Sequence, residues 1–244
     1  MPKFFVPECD LSAGTVTLTG SNAEHLKVLR VRIGEEILLC DTRGRDARCA
    51  VELLGGSVRL RVLETLPSRG EPTVSAVVYA SLPKGDKAET IVQKAVELGA
   101  EGICFFLTDR CVSRPDAKST RGKMERLNKI AEAAAMQSFR GRIPEVRWLP
   151  DLASVLADAC EREVRAFLWE GERDASLRSA LQQRALFRSA ALISGPEGGF
   201  SPEEAAQAEA AGFAAVTLGE RILRCETAPL AALAAVMYES GNLG

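Results

Sequence analysis

The sequence is poor in the residues on which many enzyme and secreted-protein motifs depend. It has one histidine, His25, so a Ser-His-Asp triad could form only around that residue. Its seven cysteines include no C-x-x-C pair, which argues against a zinc site and against a framework of disulfides. We therefore expect no bound metal, and we expect most of the cysteines to be small core residues.

The chain also lacks the features that direct a protein into or across a membrane. No apolar run approaches the roughly 20 residues that a membrane-spanning helix needs. The opening segment, MPKFFVPECD, does not resemble a signal peptide, because proline and acidic residues interrupt any apolar stretch. These absences favour a cytoplasmic protein with no membrane partner.

Two common nucleotide-binding motifs are missing as well. No G-x-G-x-x-G follows a strand-like segment, and no G-x-x-x-x-G-K-[ST] occurs anywhere. Gly122-Lys123 resembles the end of a P-loop but lacks the upstream glycine and the hydroxyl residue. The sequence therefore excludes the Rossmann dinucleotide-binding and P-loop classes.

Charge is nearly balanced over the chain but unevenly distributed. The net charge is −2, whereas residues 110–147 contain ten basic and four acidic residues. A basic stripe on a neutral protein is typical of a surface that contacts nucleic-acid phosphates. The alternative, which charge alone favours, is a solvated helix face.

The 244 residues divide into two parts with different patterns. Up to about residue 70, short strand-like segments are separated by turn residues such as Gly34 and Gly55-Gly56, which favours a small β-barrel. Residues 67–72 (PSRGEP) have the composition of a linker between domains. We predict strands at 15–19, 37–41, 47–54 and 58–66, with one short helix at 22–29.

After Pro72, strand-like and helix-like segments alternate, which predicts a mostly parallel sheet with helices on both faces. Two helix starts are marked clearly: Asp86 with Glu89 three residues later, and the segment Ser201-Pro202-Glu203-Glu204. We predict strands at 74–82, 102–107, 145–148, 164–169, 190–193 and 215–218. The predicted helices start at Asp86 and Ser201 or span 120–139, 151–160, 177–186 and 227–238.

Two loops of unusual composition follow predicted strands of this second part. The first, 193–200 (ISGPEGGF), has three glycines and a proline in five positions, which allows positive φ and close approach of the backbone to a ligand. The second, 218–228 (LGERILRCETA), places two arginines and a carboxylate where a loop meets a helix. In α/β folds, ligands bind beyond the carboxyl ends of the strands. An ordinary turn and a helix cap at Glu226-Thr227 would suit the same spacing.

These loops carry a family resemblance. "GPEGGFS..E" followed by "LG.RILR.ETA" resembles the C-terminal signature of the RsmE family, which are ribosomal RNA uridine N3-methyltransferases of the knotted SPOUT superfamily. Three further segments fall in the family's order, namely HLKVLRVRIGEEILLCD (25–41), KGDKAETIVQKAVELGA (84–100) and AMQSFRGRIPEV (135–146). The similarity therefore covers nearly the whole chain.

The resemblance implies a particular architecture and cofactor. It implies an α/β protein in which residues 1–70 form a PUA-like β-barrel that binds RNA and residues 72–244 form a SPOUT methyltransferase domain with a C-terminal trefoil knot. The knot rests on the resemblance alone, because threaded connections are almost absent from proteins. It also implies a homodimer that holds S-adenosylmethionine between the two loops. Carried over by motif, the residues implied to bind that cofactor are Ser194, Gly195, Pro196, Glu197, Gly198, Gly199, Leu218, Gly219, Ile222, Leu223, Arg224, Glu226, Thr227 and Ala228.

The implied chemistry requires that the proton on uracil N3 be removed or that the developing anion be stabilised. Arginine suits the second task, because it is a forked donor that stays protonated. Arg224 and Arg140 are our candidates, and simple phosphate contact is the equal alternative for Arg140. Glu197 and Glu226 are the nearby carboxylates, but neither is assigned as the base, because each could serve the backbone of its own loop.

The implied partner is small-subunit ribosomal RNA, free or within the 30S particle. Basic residues would follow its backbone, both in the stripe and in the predicted barrel. His25 has two interpretations, packing on the barrel or contacting RNA, of which we favour the first. The RNA-contact candidates are Lys3, Lys27, Arg30, Arg32, Arg110, Arg114, Lys118, Arg121, Lys123, Lys129, Arg140 and Arg142.

The sequence thus predicts S-adenosylmethionine-dependent methylation of N3 of a uridine in 16S rRNA. Two alternatives stay open. One is a SPOUT RNA methyltransferase with another acceptor, such as a ribose 2′-hydroxyl. The other is a non-catalytic RNA-binding factor in ribosome assembly, against which the intact glycine-bearing loop argues.

Overall fold

A computed structural model describes residues 1–183 and 186–243. The chain divides into two compact units. The first comprises Met1–Glu71 and Ala135–Ile143, and the second comprises Pro72–Ala134 and the described chain from Pro144 onwards. The sequence-based domain bounds assigned 135–143 to the second domain. The structure assigns this segment to the first unit, where Arg140 forms an ion pair with Glu71.

The first unit is a five-stranded sheet around one apolar core. Its strands run in the order β1-β3-β4-β5-β2, with β1 parallel to β3 and the other pairs antiparallel. Phe4, Leu26, Ile37 and Leu60 are fully buried in that core. The elements are β1 (Lys3–Phe5), β2 (Thr15–Leu18), α1 (Gly20–Val28), β3 (Glu36–Cys40), β4 (Arg45–Leu54) and β5 (Val58–Pro67).

The second unit contains a six-stranded sheet in which every pairing is parallel. The strand order is β11-β9-β10-β6-β7-β8, so β10 lies between β9 and β6. The prediction of a mostly parallel sheet is therefore confirmed. Its strands are β6 (Ser75–Ser81), β7 (Gly102–Phe106), β8 (Glu145–Trp148), β9 (Val164–Leu168), β10 (Ser189–Ser194) and β11 (Ala214–Val216).

Among the described residues, six helices follow or connect these strands. Ser201 and Glu204 form the predicted reciprocal capping bonds at the start of one of them. Asp86 occupies the N-cap position of another, but its side chain makes no capping hydrogen bond, because its backbone is already helical (φ −90°, ψ 0°). Of the predicted 177–186 helix, residues 184 and 185 lie outside the described residues. The helices are α2 (Lys87–Glu97), α3 (Ala117–Gln137), α4 (Leu152–Ala159), α5 (Leu177–Gln182), α6 (Pro202–Ala210) and α7 (Ala228–Glu239).

Helices cover both faces of the parallel sheet. On one face, strand residues such as Tyr79 and Phe167 pack with residues of α4 and α6 in a single apolar cluster. Strand residues that point to the other face, such as Val78 and Leu192, are also fully buried. The helices α2 and α7 contact β6, β7 and β10. Four of the seven cysteines are buried, which confirms that most of them are core residues.

The parallel arrangement determines where the two candidate loops emerge. Strands β11, β9 and β10 are neighbours, and they end at Val216, Leu168 and Ser194. Because parallel strands have their carboxyl ends at the same edge, the segments after these three residues meet there. The edge of the sheet beside β10 is therefore the place to examine for a site.

Candidate functional site

The first loop joins β10 to α6 and contains Gly195, Gly198 and Gly199. Gly199 has φ +65°, and its N–H donates to the carbonyl of Pro196 at 3.0 Å, which closes a tight turn. A Cβ at Gly195 would lie 3.2 Å from the carbonyl carbon of Gly199 and from the ring of Phe200. Glycine at 195 therefore allows the loop to pack closely on itself, and glycine at 199 adopts the positive φ without strain.

The second loop joins β11 to α7. Gly219 has φ +103°, and the hydroxyl of Thr217 bonds both to the N–H and to the carbonyl of Gly219, each at 3.2 Å. The carbonyl of Arg224 accepts hydrogen bonds from the backbone N–H groups of Thr227 (2.8 Å) and Ala228 (2.9 Å). Local hydrogen bonds thus form a turn at each end of the loop, while its middle stays accessible to solvent.

The two loops line one cavity of about 490 Å³ at the carboxyl edge of the sheet. Of the fourteen residues implied to bind a cofactor, twelve line this cavity, and Glu226 and Thr227 do not. The remaining wall comes from further residues of the second loop and from residues outside both loops, which the sequence analysis did not assign to cofactor binding. These residues are Lys87, Leu168, Trp169, Glu170, Arg173, Val216, Thr217, Glu220, Arg221 and Cys225.

Some of the missed residues carried a signal in the sequence. Trp169 and Glu170 directly follow a buried strand, β9, which neighbours both loop-bearing strands. The alternation of strands and helices predicts a parallel sheet, and this alone could have placed them at the same edge of the sheet as the two loops. The carboxylate of Glu170 lies over Gly199, where a Cβ would overlap with it. Lys87 gave no such signal, because nothing in its local sequence indicates that its ammonium faces this cavity.

Lys87 is the first residue of α2 and connects the cavity wall to both loops. Its Nζ lies 2.7 Å from Oε1 of Glu197 in the first loop and 3.8 Å from Oε2 of Glu226 in the second. The backbone N–H of Lys84 also donates to Oε1 of Glu197, at 3.1 Å. The hydrogen bond to Glu197 raises the pKa of Lys87, so this ammonium stays charged.

Both carboxylates near Lys87 are held as anions. Burial alone would raise the pKa of Glu197, but hydrogen bonds from Lys87 and from the Lys84 N–H outweigh it and lower the pKa. Burial opposes ionisation of Glu226 too, yet its own backbone N–H and the Cys225 thiol lower its pKa overall. Neither carboxyl group therefore has the raised pKa that suits a general base at neutral pH.

Cys225 lines the cavity between these charges. Burial is the main cause that raises the pKa of its thiol to about 12, with the hydrogen bond to Glu226 adding to it. The thiol therefore stays protonated at neutral pH, which makes it a poor nucleophile. None of the described residues that line the cavity is an activated cysteine of the kind used in covalent methyl transfer or hydrolysis.

The arginines at the cavity differ from Arg140 in their exposure. Arg173, Arg221 and Arg224 are exposed and line the cavity. Arg140, in the first unit, has a side chain that is 3% exposed, and its Nε and Nη2 donate to the two carboxylate oxygens of Glu71 at 2.9 and 2.8 Å. The guanidinium of Arg140 is thus committed to a buried ion pair.

The basic residues proposed as RNA contacts also have differing roles in the second unit. Arg110 donates to the carbonyls of Gly198 and Phe200, at 3.0 and 3.2 Å, and so supports the first loop. Arg114 donates to the carbonyl of Thr108 at 2.9 Å. Lys118, Arg121 and Lys129 are exposed, and Lys123 is half-buried.

In the first unit, Lys3 is buried and Lys27, Arg30 and Arg32 are exposed. The side chain of Lys3 has no exposed surface and forms a 2.9 Å ion pair with Asp46. Arg142 is half-exposed, with Nε 3.1 Å from Glu71. Neither Lys3 nor Arg140 presents its charge to solvent, so we leave both out of the RNA surface.

His25 and the search for metal and membrane features complete the survey. The ring of His25 packs edge-on against Phe4, with centroids 5.4 Å apart, although the residue itself is exposed. Within the described residues, no group of three or more histidine, cysteine, aspartate or glutamate side chains could hold a metal ion. None of the described helices is both long and apolar enough to cross a membrane.

Comparison with known families matches both parts of the chain. Residues 70–237 match the model of an RNA methyltransferase domain, and residues 18–62 match the model of an RNA methyltransferase PUA domain. The first match spans the whole parallel sheet and both loops of the cavity. The second falls within the five-stranded sheet of the first unit.

Relatives of established name are similar over nearly their full length. Ribosomal RNA small subunit methyltransferase E from Bacillus subtilis is 33% identical over 237 residues, which cover 93% of this chain and 91% of the relative. The protein of the same name from Mycobacterium bovis is 33% identical, over 96% of this chain and 90% of its own. A crystal structure of the Neisseria gonorrhoeae ribosomal RNA small subunit methyltransferase E, bound to S-adenosyl methionine, has 33% identity and a TM-score of 0.86, with 97% of each chain covered. The fold, the cavity-forming loops and these relatives together place the chain in the ribosomal RNA small subunit methyltransferase E (RsmE) family.

Proposed function

We propose that the chain is an S-adenosylmethionine-dependent methyltransferase that modifies N3 of a uridine in small-subunit ribosomal RNA. The observation that carries the proposal is the single cavity formed by the loops 194–200 and 217–227 at the carboxyl edge of a parallel sheet. The names of the relatives support the substrate class. The cofactor is supported by the solved relative from Neisseria gonorrhoeae.

The residues present fit a nucleoside-sized methyl donor. The cavity of about 490 Å³ falls within the range of about 300–1,000 Å³ that is usual for small-molecule sites. Leu168, Val216 and Leu218 supply apolar wall for a purine ring, and the glycine-bearing first loop lets backbone amides approach the ligand. Donor contacts therefore go to the twelve lining residues. Glu226 and Thr227 support the second loop instead, Glu226 through Lys87 and Thr227 through the Arg224 carbonyl.

Catalysis in this site consists of alignment and charge stabilisation. S-adenosylmethionine, when bound, supplies a methyl group that its sulfonium has already activated, so the protein has to orient the acceptor against it. Uracil N3 becomes nucleophilic as its proton leaves, and negative charge then spreads over N3, O2 and O4. Arg224 is exposed and lines the cavity, and its guanidinium is a forked donor, so we assign stabilisation of this anion to Arg224 and not to Arg140.

The proton of N3 does not require a dedicated carboxylate base. Glu197 and Glu226 both have lowered pKa values and are engaged by donors of their own loops or of Lys87. An anion held in this way gains little by taking up a proton at neutral pH. We infer that proton loss to solvent, promoted by the cationic surroundings of N3, is sufficient.

RNA is held by exposed cations of each unit. In the second unit these are Arg173 and Arg221 at the cavity, with the exposed basic residues of 110–134. In the first unit they are Lys27, Arg30 and Arg32. Exposed guanidinium and ammonium groups bind phosphate with little sequence preference, so these residues set affinity and register rather than choice of base.

We further propose that the chain acts as a homodimer through α7. This helix is apolar all round its surface, which is typical of a helix buried on every side. Pro229, Leu233 and Met237 are buried, whereas Ala231 and Tyr238 on another side are exposed. Light scattering should give the mass of a dimer, and Ala231→Glu should give a monomer. Ala133→Glu, at an exposed position of α3, is the control that should leave the mass unchanged.

Product analysis tests the reaction directly. The purified protein is incubated with S-adenosylmethionine and small subunits or rRNA from cells that lack the modification, and nucleosides are then identified by mass spectrometry. N3-methyluridine is expected, with its position read from nuclease fragments. A ribose-methylated nucleoside would replace the proposal with the 2′-hydroxyl alternative.

Calorimetry separates the enzyme from a non-catalytic assembly factor. The folded protein should bind S-adenosylmethionine with one site per chain. Binding of rRNA without any binding of S-adenosylmethionine would favour an RNA-binding assembly factor over a methyltransferase.

A further inference from the structure

We propose that Lys87 is a positioning residue that joins the two loops of the donor cavity and sets their separation. The inference rests on the proposed function of this cavity as the S-adenosylmethionine site. Lys87 lies within the segment 84–100 that carries part of the family resemblance, but the sequence alone assigned it no role; its role follows from contacts with both loops of the cavity. It does not transfer a proton or a methyl group itself.

The contacts of Lys87 span both loops. Its Nζ lies 2.7 Å from Oε1 of Glu197, which belongs to the loop after β10, and 3.8 Å from Oε2 of Glu226, which belongs to the loop after β11. It also donates to Sγ of Cys225 at 3.8 Å. One cation at the start of α2 is therefore shared by two anions from different loops.

The surroundings shield these contacts from water in part. The side chains of Lys87, Glu197 and Glu226 are only 27%, 29% and 21% exposed. Charges sheltered from water in this way interact more strongly than fully solvated pairs and are screened less by salt. Glu197 is fixed further by the Lys84 N–H, so the first loop is anchored and the second follows through Lys87.

Removal of the ammonium would leave two carboxylates close together without a cation between them. Both lie within 3.8 Å of the same nitrogen, so they would repel each other, and the two loops would separate. A loose cavity binds its ligand more weakly, because the ordering of the loops must then occur on binding. The effect should appear in donor affinity rather than in RNA affinity.

The central variants are Lys87→Met, Lys87→Arg and the control Lys84→Met. Lys84 is an exposed lysine three residues earlier, and its contact with Glu197 is made by the backbone N–H, which substitution leaves in place. In calorimetry, Lys87→Met should weaken S-adenosylmethionine binding about tenfold, since loss of one sheltered ion pair is of that order. Lys87→Arg should remain within about threefold of wild type because it keeps the charge. The control should bind as wild type does.

A second measurement needs no cofactor. Hydrogen exchange of the free protein should show faster exchange of the backbone amides in 194–200 and 217–227 for Lys87→Met, and unchanged exchange in β6 and β7. The Lys84→Met control should show wild-type exchange throughout. Faster exchange over the whole sheet of Lys87→Met would indicate general destabilisation and would count against a specific positioning role.

A double-mutant cycle with Glu197→Gln tests the pair itself. If Lys87 acts through Glu197, the loss of donor affinity in the double variant should be smaller than the sum of the two single losses, and strict additivity would refute this route. Steady-state kinetics of Lys87→Met provide a further check. The KM for S-adenosylmethionine should rise, while the KM for RNA should stay unchanged.

The outcomes keep the two proposals apart. If the wild-type protein does not bind S-adenosylmethionine, the proposed function fails and the role of Lys87 fails with it. If wild type binds and Lys87→Met binds within twofold of it, only the positioning role is overturned. Tighter binding of S-adenosylmethionine relative to S-adenosylhomocysteine in Lys87→Met would also overturn it, since that result would show Lys87 acting by direct repulsion of the sulfonium.

Discussion

Gly199 offers the sharpest test of how the first loop is built, because two separate constraints meet there. Its φ of +65° is a conformation that alanine adopts only with strain. A Cβ at this position would overlap with Oε1 of Glu170 and lie 2.6 Å from its Cδ. Gly199→Ala should therefore strain the backbone and also displace a carboxylate that lines the cavity.

The two effects differ in size and in where they appear. The left-handed conformation costs about 1–2 kcal/mol for alanine, and the smaller conformational entropy of the unfolded alanine chain offsets about 0.4–1 kcal/mol of this. Glu170 is exposed, so its carboxylate can swing away at little expense. We expect a net loss of about 1 kcal/mol in unfolding free energy and, separately, weaker donor binding because the displaced carboxylate of Glu170 disturbs the cavity wall.

Urea unfolding followed by tryptophan fluorescence measures the first effect. Both tryptophans, Trp148 and Trp169, lie in the second unit, so the signal reports on the unit that contains the loop. Gly219→Ala is the matched control: its φ is +103°, and nothing lies within 4 Å of a Cβ there. It should lose stability through strain without the displacement of Glu170.

Calorimetry with S-adenosylmethionine measures the second effect. Glu170→Ala together with Gly199→Ala should abolish the additional effect of the displaced carboxylate but leave the strain in place. An unchanged unfolding free energy in both glycine variants would refute the argument from φ. Equal donor affinity in Gly199→Ala and wild type would refute the argument from Glu170.

Three further predictions test the chemistry and the RNA surface. Arg224→Ala should lower kcat by about 100-fold or more, as loss of a charge-stabilising donor does, while RNA affinity in a filter-binding assay stays near wild type; equal losses in both would show that Arg224 only binds RNA. Because the pKa values of Glu197 and Glu226 are lowered, both are ionised throughout the neutral range, so the rate should rise with pH from about 6 to 9 as N3 loses its proton more readily, without a carboxylate inflection; a plateau that begins between about pH 5 and 7 would instead indicate a protein base. RNA affinity should fall at least about tenfold between about 50 and 200 mM salt if exposed cations of 110–147 contact phosphates, and a flat response in fluorescence anisotropy would remove that role.

The strands and the two loops could be predicted because their signals are local. Buried runs such as GICFF of β7, bounded by glycine or polar residues, specify strands whatever their neighbours, and the Ser201-Glu204 capping pair specifies a helix start within four residues of chain. β1 was not predicted as a strand. It is three residues long and exists because it pairs with β3, more than thirty residues later. A short strand of this kind carries too few residues for periodicity to show.

The surroundings of charged residues could not be predicted, because a charge in a sequence does not reveal its partner. Lys3 and Arg140 were expected to face RNA, yet each is buried against a carboxylate distant in sequence, Asp46 and Glu71 respectively. A buried charge is tolerated only when it is paired, and the pairing depends on the tertiary fold. Asp86 illustrates the same point locally: the residue type fits a cap, but its helical φ and ψ prevent the capping bond.

Lys87 and Arg140 show why sequence motifs locate a cavity better than they locate its electrostatics. Glycines specify a loop by what they omit, a side chain, and this property is the same in every environment. The role of a lysine or arginine depends on the group that its side chain contacts. Arg140 has a structural role because it pairs with Glu71. Lys87 lies outside the selected loops, but it contacts both of them through Glu197 and Glu226. The charge of this cavity therefore depends on ion pairs between segments up to about 140 residues apart. For that reason substitutions at Glu197 should alter donor binding through Lys87 in addition to any direct contact that Glu197 makes with the donor.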